Sequence, residues 1–480
     1  MQRVSNNERT TCLVVGGGPA GMVLGLLLAR AGVPVTVLEK HADFLRDFRG
    51  DTVHASTLTL LDELGLGARF AALPQRRFDV ARIQLDQGTV QVGDLKRLPG
   101  PHKHIALVPQ WDLLDLLADA AAEEPAFTLR RNAQVTDLLR EDGRVVGARF
   151  TDRTDGSVHE VRATLTVACD GRGSAVRAAA GLSPRGFGVP MDVLWFRLPR
   201  HADDPAGLVG RFSTGQVMVM IDRGDYWQCA YLIRKDSDAM LRSEGIEGFR
   251  ARLTALQPWI ADRVGELASF DDVKLLDVRL ERLRRWYVNG LLLIGDAAHA
   301  MSPVGGVGIN LAVQDAVAAA RILAPALQVD GPVPVSVLRR VQLRRWWPTA
   351  LTQAGQRVAH RRILGPALAA GPAAAHPQRH AADIPTDTSA GASRPVGPDD
   401  AVAEAPSASL PLPMRLVRRF PVLQGIPGRV IAIGPLPEHA PAWARRPEMP
   451  VVSAPVATPD ITASGAGRRD TQETGSTPRS

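Results

Sequence analysis

Residues 291 to 310, LLLIGDAAHAMSPVGGVGIN, set one carboxylate, Asp296, at the end of an apolar run. Small residues follow, with His299, Pro303 and glycines at 305, 306 and 308. A loop so poor in side-chain bulk lets a flat ring lie against backbone. The stretch after it, GINLAVQDAVAAARILAPAL, reads as a helix whose N-terminus brings positive potential and unpaired N–H groups. A reduced flavin gathers negative charge at its N1–C2=O edge, so this arrangement suits one. Asp296 is placed to hold a sugar-alcohol hydroxyl of the ribityl chain.

A second glycine-rich segment, TCLVVGGGPAGMVLGLLLARAGVPVTVLEKH, opens the chain. It reads as a buried strand over 11–15, then Gly16, Gly18 and Gly21 in G-x-G-x-x-G spacing. A helix to about Ala31, stopped by Gly32, leads to a second strand ending at Glu39. Gly16 permits the tight turn, Gly18 lets backbone approach a pyrophosphate at the helix N-terminus, and Gly21 allows close helix–strand packing. Glu39 is placed to accept hydrogen bonds from a ribose hydroxyl. The pattern points to a dinucleotide and does not by itself separate NAD from FAD. In RATLTVACDGRGSAVRAAAGL, 162 to 182, a strand ends at Cys169, Asp170 and Gly171 turn, and Ser174 and Arg177 open a helix. That carboxylate and helix start offer a second ligand contact; an N-capped surface turn is the plainer reading of the stretch alone.

Composition removes several function classes. Cys12, Cys169 and Cys229 are too few and too scattered for a disulfide framework or a zinc site, and no metal is expected. The net charge of +7 comes from arginines dispersed among acids, so no nucleic-acid partner is expected. No run approaches the roughly 18 apolar residues of a membrane span. The start, MQRVSNNERT, lacks the apolar core of a signal peptide. A cytoplasmic location without membrane association follows as the expectation. LRRVQLRRWWPTALTQAGQRVAHRRILGP, 338 to 366, carries basic residues and two Trp. A membrane-surface or partner helix is one reading of it; an amphipathic helix docked on the nucleotide-binding domain is the preferred one.

GGGPAG, ACDGRGSAVR and IGDAAHAMSPVGGVGINLAVQD occur in this order, with the weaker DFRGDTVHASTLTLLDELGL and LVPQWDLLDLLADAA between the first two. Over about residues 10 to 365 the chain thereby resembles the single-component FAD-dependent aromatic hydroxylases, the group of para-hydroxybenzoate hydroxylase and its ubiquinone-pathway relatives. The resemblance implies an α/β fold: a Rossmann-like FAD-binding domain of the GR2 type with an inserted antiparallel β-sheet substrate domain. It implies that Gly16, Gly18 and Gly21 approach the FAD pyrophosphate and that Glu39, with Lys40 beside it, serves the adenosine ribose. Arg49 would lie near the pyrophosphate or flavin, and Gln110 on the ribityl side. Asp170 and Gly171 would serve FAD and the transient donor, NADH or NADPH. Asp296 would bind the ribityl chain, and Pro303, Gly308, Asn310 and Leu311 would line the isoalloxazine. The implied reaction uses NAD(P)H and O2 to form a flavin C4a-hydroperoxide that hydroxylates an aromatic or unsaturated small molecule. No side chain is assigned as catalytic acid or base, and His299 is expected to order the loop. An FAD-dependent reductase or dehydrogenase without oxygen insertion, and a non-catalytic flavin-bound interaction protein, carry the same motifs and stand as alternatives.

The FAD-binding domain is expected to be discontinuous, over 10–75, 100–182 and 283–365, with 76–99 and 183–282 forming the substrate domain. There DVLWFRLPR, GQVMVMIDRGDYWQCAYLIRK and DDVKLLDVRLERLRRWYV read as antiparallel strands, and GIEGFRARLTALQPWIADRV as a helix. Trp195, Phe212, Met218, Met220, Trp227 and Tyr231 offer an apolar, aromatic substrate surface, although any one of them is more readily core. Residues 366–413, without an aromatic and rich in Ala, Pro, Ser and Gly, are expected to be disordered. Residues 414–445 are expected to pack back onto the body, and 446–480 to form a disordered tail. The oligomeric state is left open.

Overall fold

A computed structural model describes residues 5–45, 52–369 and 425–448. The chain enters through β1 (Ser5–Val15), α1 (Pro19–Arg30) and β2 (Val35–Leu38), followed by α2 (Ala55–Glu63) and a hairpin, β3 (Val80–Leu85) and β4 (Gly88–Asp94). It returns through α3 (Gln110–Ala122), β5 (Phe127–Arg130), β6 (Ala133–Glu141), β7 (Arg144–Asp152) and β8 (Val158–Ala168). Four longer strands come next, β9 (Met191–Pro199), β10 (Leu208–Ser213), β11 (Gln216–Asp222) and β12 (Tyr226–Arg234), then α4 (Gly245–Leu256) and the short β13 (Lys274–Leu276). β14 (Tyr287–Val288) and β15 (Leu291–Leu293) lead to α5 (Val307–Leu327), α6 (Val335–Ala359) and finally α7 (Gly425–Ala432).

The first sheet runs β14-β15-β8-β1-β2-β5, with β7 and then β6 added beside β8. Its centre is parallel, and the register decides the function of the edge. Val15 stands opposite Leu38 and Ala168, and Ala168 stands opposite Leu293. Strands in that register all end together, so Gly16, Glu39, Asp170 and Gly295 emerge at one carboxyl edge, where α/β sheets bind ligands. α1 is buried all round, from Ala20 to Ala29, because it lies between the sheet and other helices. The apolar helix over 304–327 is long enough to cross a bilayer, but 83% of its apolar window is buried inside the protein. It is a core helix, and α5 packs beside α1 and α6.

The second sheet runs β13-β9-β12-β11-β10-β3-β4. Its pairings are antiparallel except where β10 meets β3, so a hairpin far upstream in sequence completes the sheet. Side chains alternate between two faces. Leu194, Phe196, Met218, Met220, Trp227 and Tyr231 pack under Phe249, Leu253 and Leu256 of α4. Val193, Trp195, Phe212, Val217 and Leu232 face the other way, against Val304, Leu364 and Leu368. Of the six aromatic and Met residues offered above as a substrate surface, only Trp195 and Phe212 therefore lie on the face that meets the 303–306 loop. The other four are core on the far side.

Candidate active site

The glycines at the carboxyl edge fall into two physical classes. A Cβ on Gly16, whose φ is +102°, would lie 2.6 Å from the Cys169 carbonyl oxygen, and one on Gly21 would lie 1.9 Å from that of Gly16. These two are small so that β1, α1 and the 169–171 turn can touch. A Cβ on Gly18 would meet nothing within 4 Å, nor would one on Gly171, whose φ is +83°. Gly18 caps α1, whose first turn has no acidic residue and no side-chain cap. Open space at an uncapped helix N-terminus is what a pyrophosphate requires. Glu39 is buried; its Oε2 accepts from Gly17 N at 2.8 Å and its Oε1 from His41 N at 3.0 Å. The same carboxylate thus shapes the glycine turn it stands beside.

At the second motif the carboxylate serves the chain first. Asp170 accepts from Ser174 Oγ at 2.5 Å and from Val176 N at 3.1 Å, and Ser174 Oγ accepts from Arg177 N at 2.9 Å. Burial pushes the Asp170 carboxyl up against these stabilising hydrogen bonds. Arg177 then reaches the third motif, donating to the Ala297 carbonyl at 3.1 Å. Asp296 is half-buried, with the Arg172 guanidinium 3.5 Å away. Gly295, at φ +58°, lies against Ala20 and Ala312. All three motifs meet.

The loop after Asp296 is held from outside. Gln356 on α6 donates to the Ser302 and Val304 carbonyls at 2.9 Å each, and Gln353 donates to that of Ala300 at 3.2 Å. His360 shares a 2.9 Å hydrogen bond with Ser302 Oγ. Gly305 and Gly306 take φ of +81° and +63°, a region that excludes most side chains, and Thr52 Oγ1 donates to the Gly306 carbonyl at 3.2 Å. Pro303 is half-buried at the start of this turn. The α5 N-terminus has neither a side-chain cap nor an acid in its first turn. A Cβ on Gly308 would approach only Met301 Cβ, at 3.9 Å. Asn310 is turned inward: its Oδ1 accepts from Ser56 Oγ at 2.7 Å and Thr57 Oγ1 at 2.8 Å. Leu311 is buried with Leu280, Met301 and Val307. An isoalloxazine would therefore meet backbone here rather than the Asn310 amide.

Beneath the loop sits a buried charge chain that the sequence reading did not find. Asp315 Oδ2 accepts from Gly295 N at 3.1 Å and from His299 Nε2 at 2.5 Å, and Oδ1 accepts from Arg345 Nε at 3.0 Å. Arg345 also donates to the Leu436 carbonyl and lies 3.5 Å from Glu438, which in turn binds Arg344 and Arg321. Burial would raise the Asp315 carboxyl, but the His299 ring and the Arg345 guanidinium outweigh it and hold it below the usual carboxylate range. His299 thus orders the loop through Asp315. Asp315 carried a sequence signal, a lone acid in an Ala-rich helix; Glu438 carried none.

The remaining expected residues are dispersed. Lys40 is exposed, and its carbonyl accepts from Arg153 Nη1 at 3.1 Å. Gln110 opens α3, after strand Ile105–Leu107, whose partner strand Thr52–Val53 touches Gly306. Arg49 lies outside the described residues. His54 was not singled out, yet it is buried beside Gly306 and donates from Nδ1 to the Ile431 carbonyl of α7 at 2.8 Å. Burial pushes its pKa down to about 4. A depressed histidine pKa stabilises the fold above the unfolded value near 6.5 and is lost as pH falls towards 4. The wild type should lose roughly 3 kcal/mol more than His54→Gln across that window. Equal acid sensitivity in urea titrations would refute the assignment.

A cluster of cations borders the loop. The guanidinium groups of Arg185, Arg282 and Arg357 stand 5.6, 5.4 and 5.4 Å from the Phe187 ring centroid. None of the three has a carboxylate partner among the described residues. Arg282 donates to Gln353 at 2.9 Å, the residue that also holds Ala300.

Comparison with known proteins agrees with this geometry. A family model described as FAD binding domain matches residues 9–333. The chain is 37% identical over 328 residues to 6-methylpretetramide 4-monooxygenase of Streptomyces rimosus, covering 68% of this chain and 77% of that enzyme. It is 27% identical over 361 residues to 3-demethoxyubiquinol 3-hydroxylase of Escherichia coli, covering 73% and 88%. The solved structure of P. aeruginosa PqsL in complex with 2-aminobenzoylacetate matches with a TM-score of 0.64 at 19% identity, over 75% of this chain and 99% of that one, a likeness of fold. With three motifs converging on one sheet edge and open glycines where a dinucleotide must approach, the chain belongs to the FAD-binding-domain family of flavin-dependent aromatic monooxygenases.

Proposed function

We propose that the protein hydroxylates an aromatic small molecule between the 303–306 loop and the sheet face bearing Trp195 and Phe212. The observation that carries this reading is the trio of open positions, Gly18, Gly171 and Gly308, along the edge where the motifs meet. Bound FAD supplies the redox chemistry, taking reducing equivalents from NADH or NADPH and activating O2. The chain's own residues bind and orient. The α1 N-terminus takes the pyrophosphate, with Glu39 beside the adenosine ribose. Asp296, next to Arg172, accepts from the ribityl chain. The α5 N-terminal amides stabilise negative charge on the ring edge. Val193, Val217 and Leu232 exclude water around the aromatic substrate. Arg185, Arg282 and Arg357 offer cationic partners for the phosphates of the nicotinamide nucleotide. A cytoplasmic location, where that donor is supplied, belongs to the same reading.

The experiment is turnover under labelled O2. The purified protein, yellow with non-covalently bound FAD, is offered aromatic substrates, beginning with 6-methylpretetramide, and scored by substrate-stimulated NAD(P)H oxidation. One labelled oxygen in the product is expected. Normal turnover with an unlabelled product that differs by two hydrogens would instead establish the reductase or dehydrogenase alternative.

A further inference from the structure

The sequence reading docks α6 on the FAD-binding domain, and α6 does dock, but with inverted polarity over its C-terminal half. Its first turns bury Val337, Leu338 and Val341 in the main core, but from Arg345 onward the buried side presents Arg345, Thr349, Thr352, Gln353 and Gln356, followed by His360, and these polar groups hold the 300–304 loop and Asp315. Over the same stretch the large apolar side chains point outward: Leu343 is 60% exposed, Trp347 44%, Leu351 53% and Val358 61%. The spacing of 343, 347, 351 and 358 puts them on one helical face. Trp346 and, beyond the end of the helix, Ile363 are also exposed. Isolated exposed apolar residues are ordinary, whereas a continuous stripe of this size on a helix with a polar underside marks an interaction surface.

The charges name the partner. Exposed Arg339 and Arg340 lie at one end of the stripe, and exposed Arg361 and Arg362 at the other, a helical span of about 32 Å between Arg340 and Arg361. No acidic residue occurs between Asp330 and Asp383. A second copy of the chain fits poorly, since any symmetric pairing of the two stripes sets arginine pair against arginine pair. Arginines bracketing tryptophan and leucine match an anionic bilayer surface, with the apolar residues at the acyl boundary and the guanidinium groups among the headgroups. We propose that α6 is a peripheral membrane-binding helix that seats the enzyme on an anionic lipid surface. The polar underside of the same helix grips the 300–304 loop, so seating brings the flavin loop within one helix diameter of the lipid, suited to substrates that partition there.

The test is co-sedimentation of the full-length, FAD-loaded protein with vesicles. Vesicles of phosphatidylcholine with roughly one-third phosphatidylglycerol should retain it at low salt and release it at high salt, while pure phosphatidylcholine should not retain it. Leu343→Ser/Trp347→Ser/Leu351→Ser should abolish binding with FAD content and melting temperature unchanged. Arg361→Gln/Arg362→Gln should weaken partitioning to the anionic vesicles by roughly tenfold to thirtyfold. No retention of the full chain on anionic vesicles overturns the proposal. Retention undiminished in the triple variant overturns it too. A dimer in light scattering that the triple variant dissolves assigns the stripe to a second copy and has the same effect.

Discussion

Replacing Asp315 with Ala lowers the stability of the folded protein by about 3–5 kcal/mol, the penalty for removing one partner of a buried ion pair. Arg345 is wholly buried, and loss of the nearer carboxylate leaves it only Glu438, 3.5 Å away and already held by Arg321 and Arg344. The same carboxylate holds Gly295 N and the His299 ring, so the loop after Asp296 loosens with it. Denaturant titration measures the stability and flavin fluorescence the loop. The origin of the effect is separable: Asp315→Leu with Arg345→Met removes both charges and should recover most of the stability, because an apolar pair of similar volume replaces a buried ion pair at little cost. A double variant as unstable as the single would show that the carboxylate's hydrogen bonds, and not its charge, dominate. Acid should act like the substitution. The Asp315 carboxyl is depressed, so its contribution is complete above the ordinary carboxylate pKa and is lost as pH falls through its lower folded value.

This network also marks where the sequence stops being legible. The packing roles of Gly16 and Gly21, and the placing of Glu39 at the end of its strand, could be read because each is local to one strand–turn–helix–strand unit. The parallel register then carries those positions to the same edge as Asp170 and Asp296 without further information. The second sheet was legible as strands, but period-two alternation does not say which face turns towards the 303–306 loop. Trp195 and Phe212 therefore could not be told apart from Met218, Met220, Trp227 and Tyr231 until the position of α4 was known. Glu438 was hidden for another reason. Its partners, Arg321, Arg344 and Arg345, lie more than 90 residues upstream, and nothing local to PEHAPAW distinguishes an acid destined for burial from a solvated one. The polarity of α6 was misleading in the same way. A helix rich in Leu, Trp and Val suggests that those residues face the core, as Val337, Leu338 and Val341 do, but the loop that its later turns support needs glutamines and an arginine, and there these take the buried side.

Gly308→Val should leave the polypeptide folded and weaken its hold on flavin. Gly308 does not sit at positive φ, unlike Gly305 and Gly306, so its backbone accepts any L-residue. An added Cβ meets only Met301 Cβ at ordinary contact distance, and valine is a better helix former than glycine. The folded chain should therefore melt at an unchanged or slightly higher temperature in its flavin-free form. The branched side chain instead projects into the space above the α5 N-terminus, where a ring packed on backbone has no room for it. Overpacking a close contact costs roughly 1–3 kcal/mol, so FAD affinity should fall by about one to two orders of magnitude. Gly21→Val gives the contrasting outcome: its Cβ would collide with the Gly16 carbonyl at 1.9 Å, so this variant should lose stability with or without FAD. Fluorescence titration of refolded, flavin-free protein with FAD, run beside thermal melts of all three proteins, distinguishes the two. If Gly308→Val binds FAD as tightly as the wild type, the isoalloxazine does not lie against this turn.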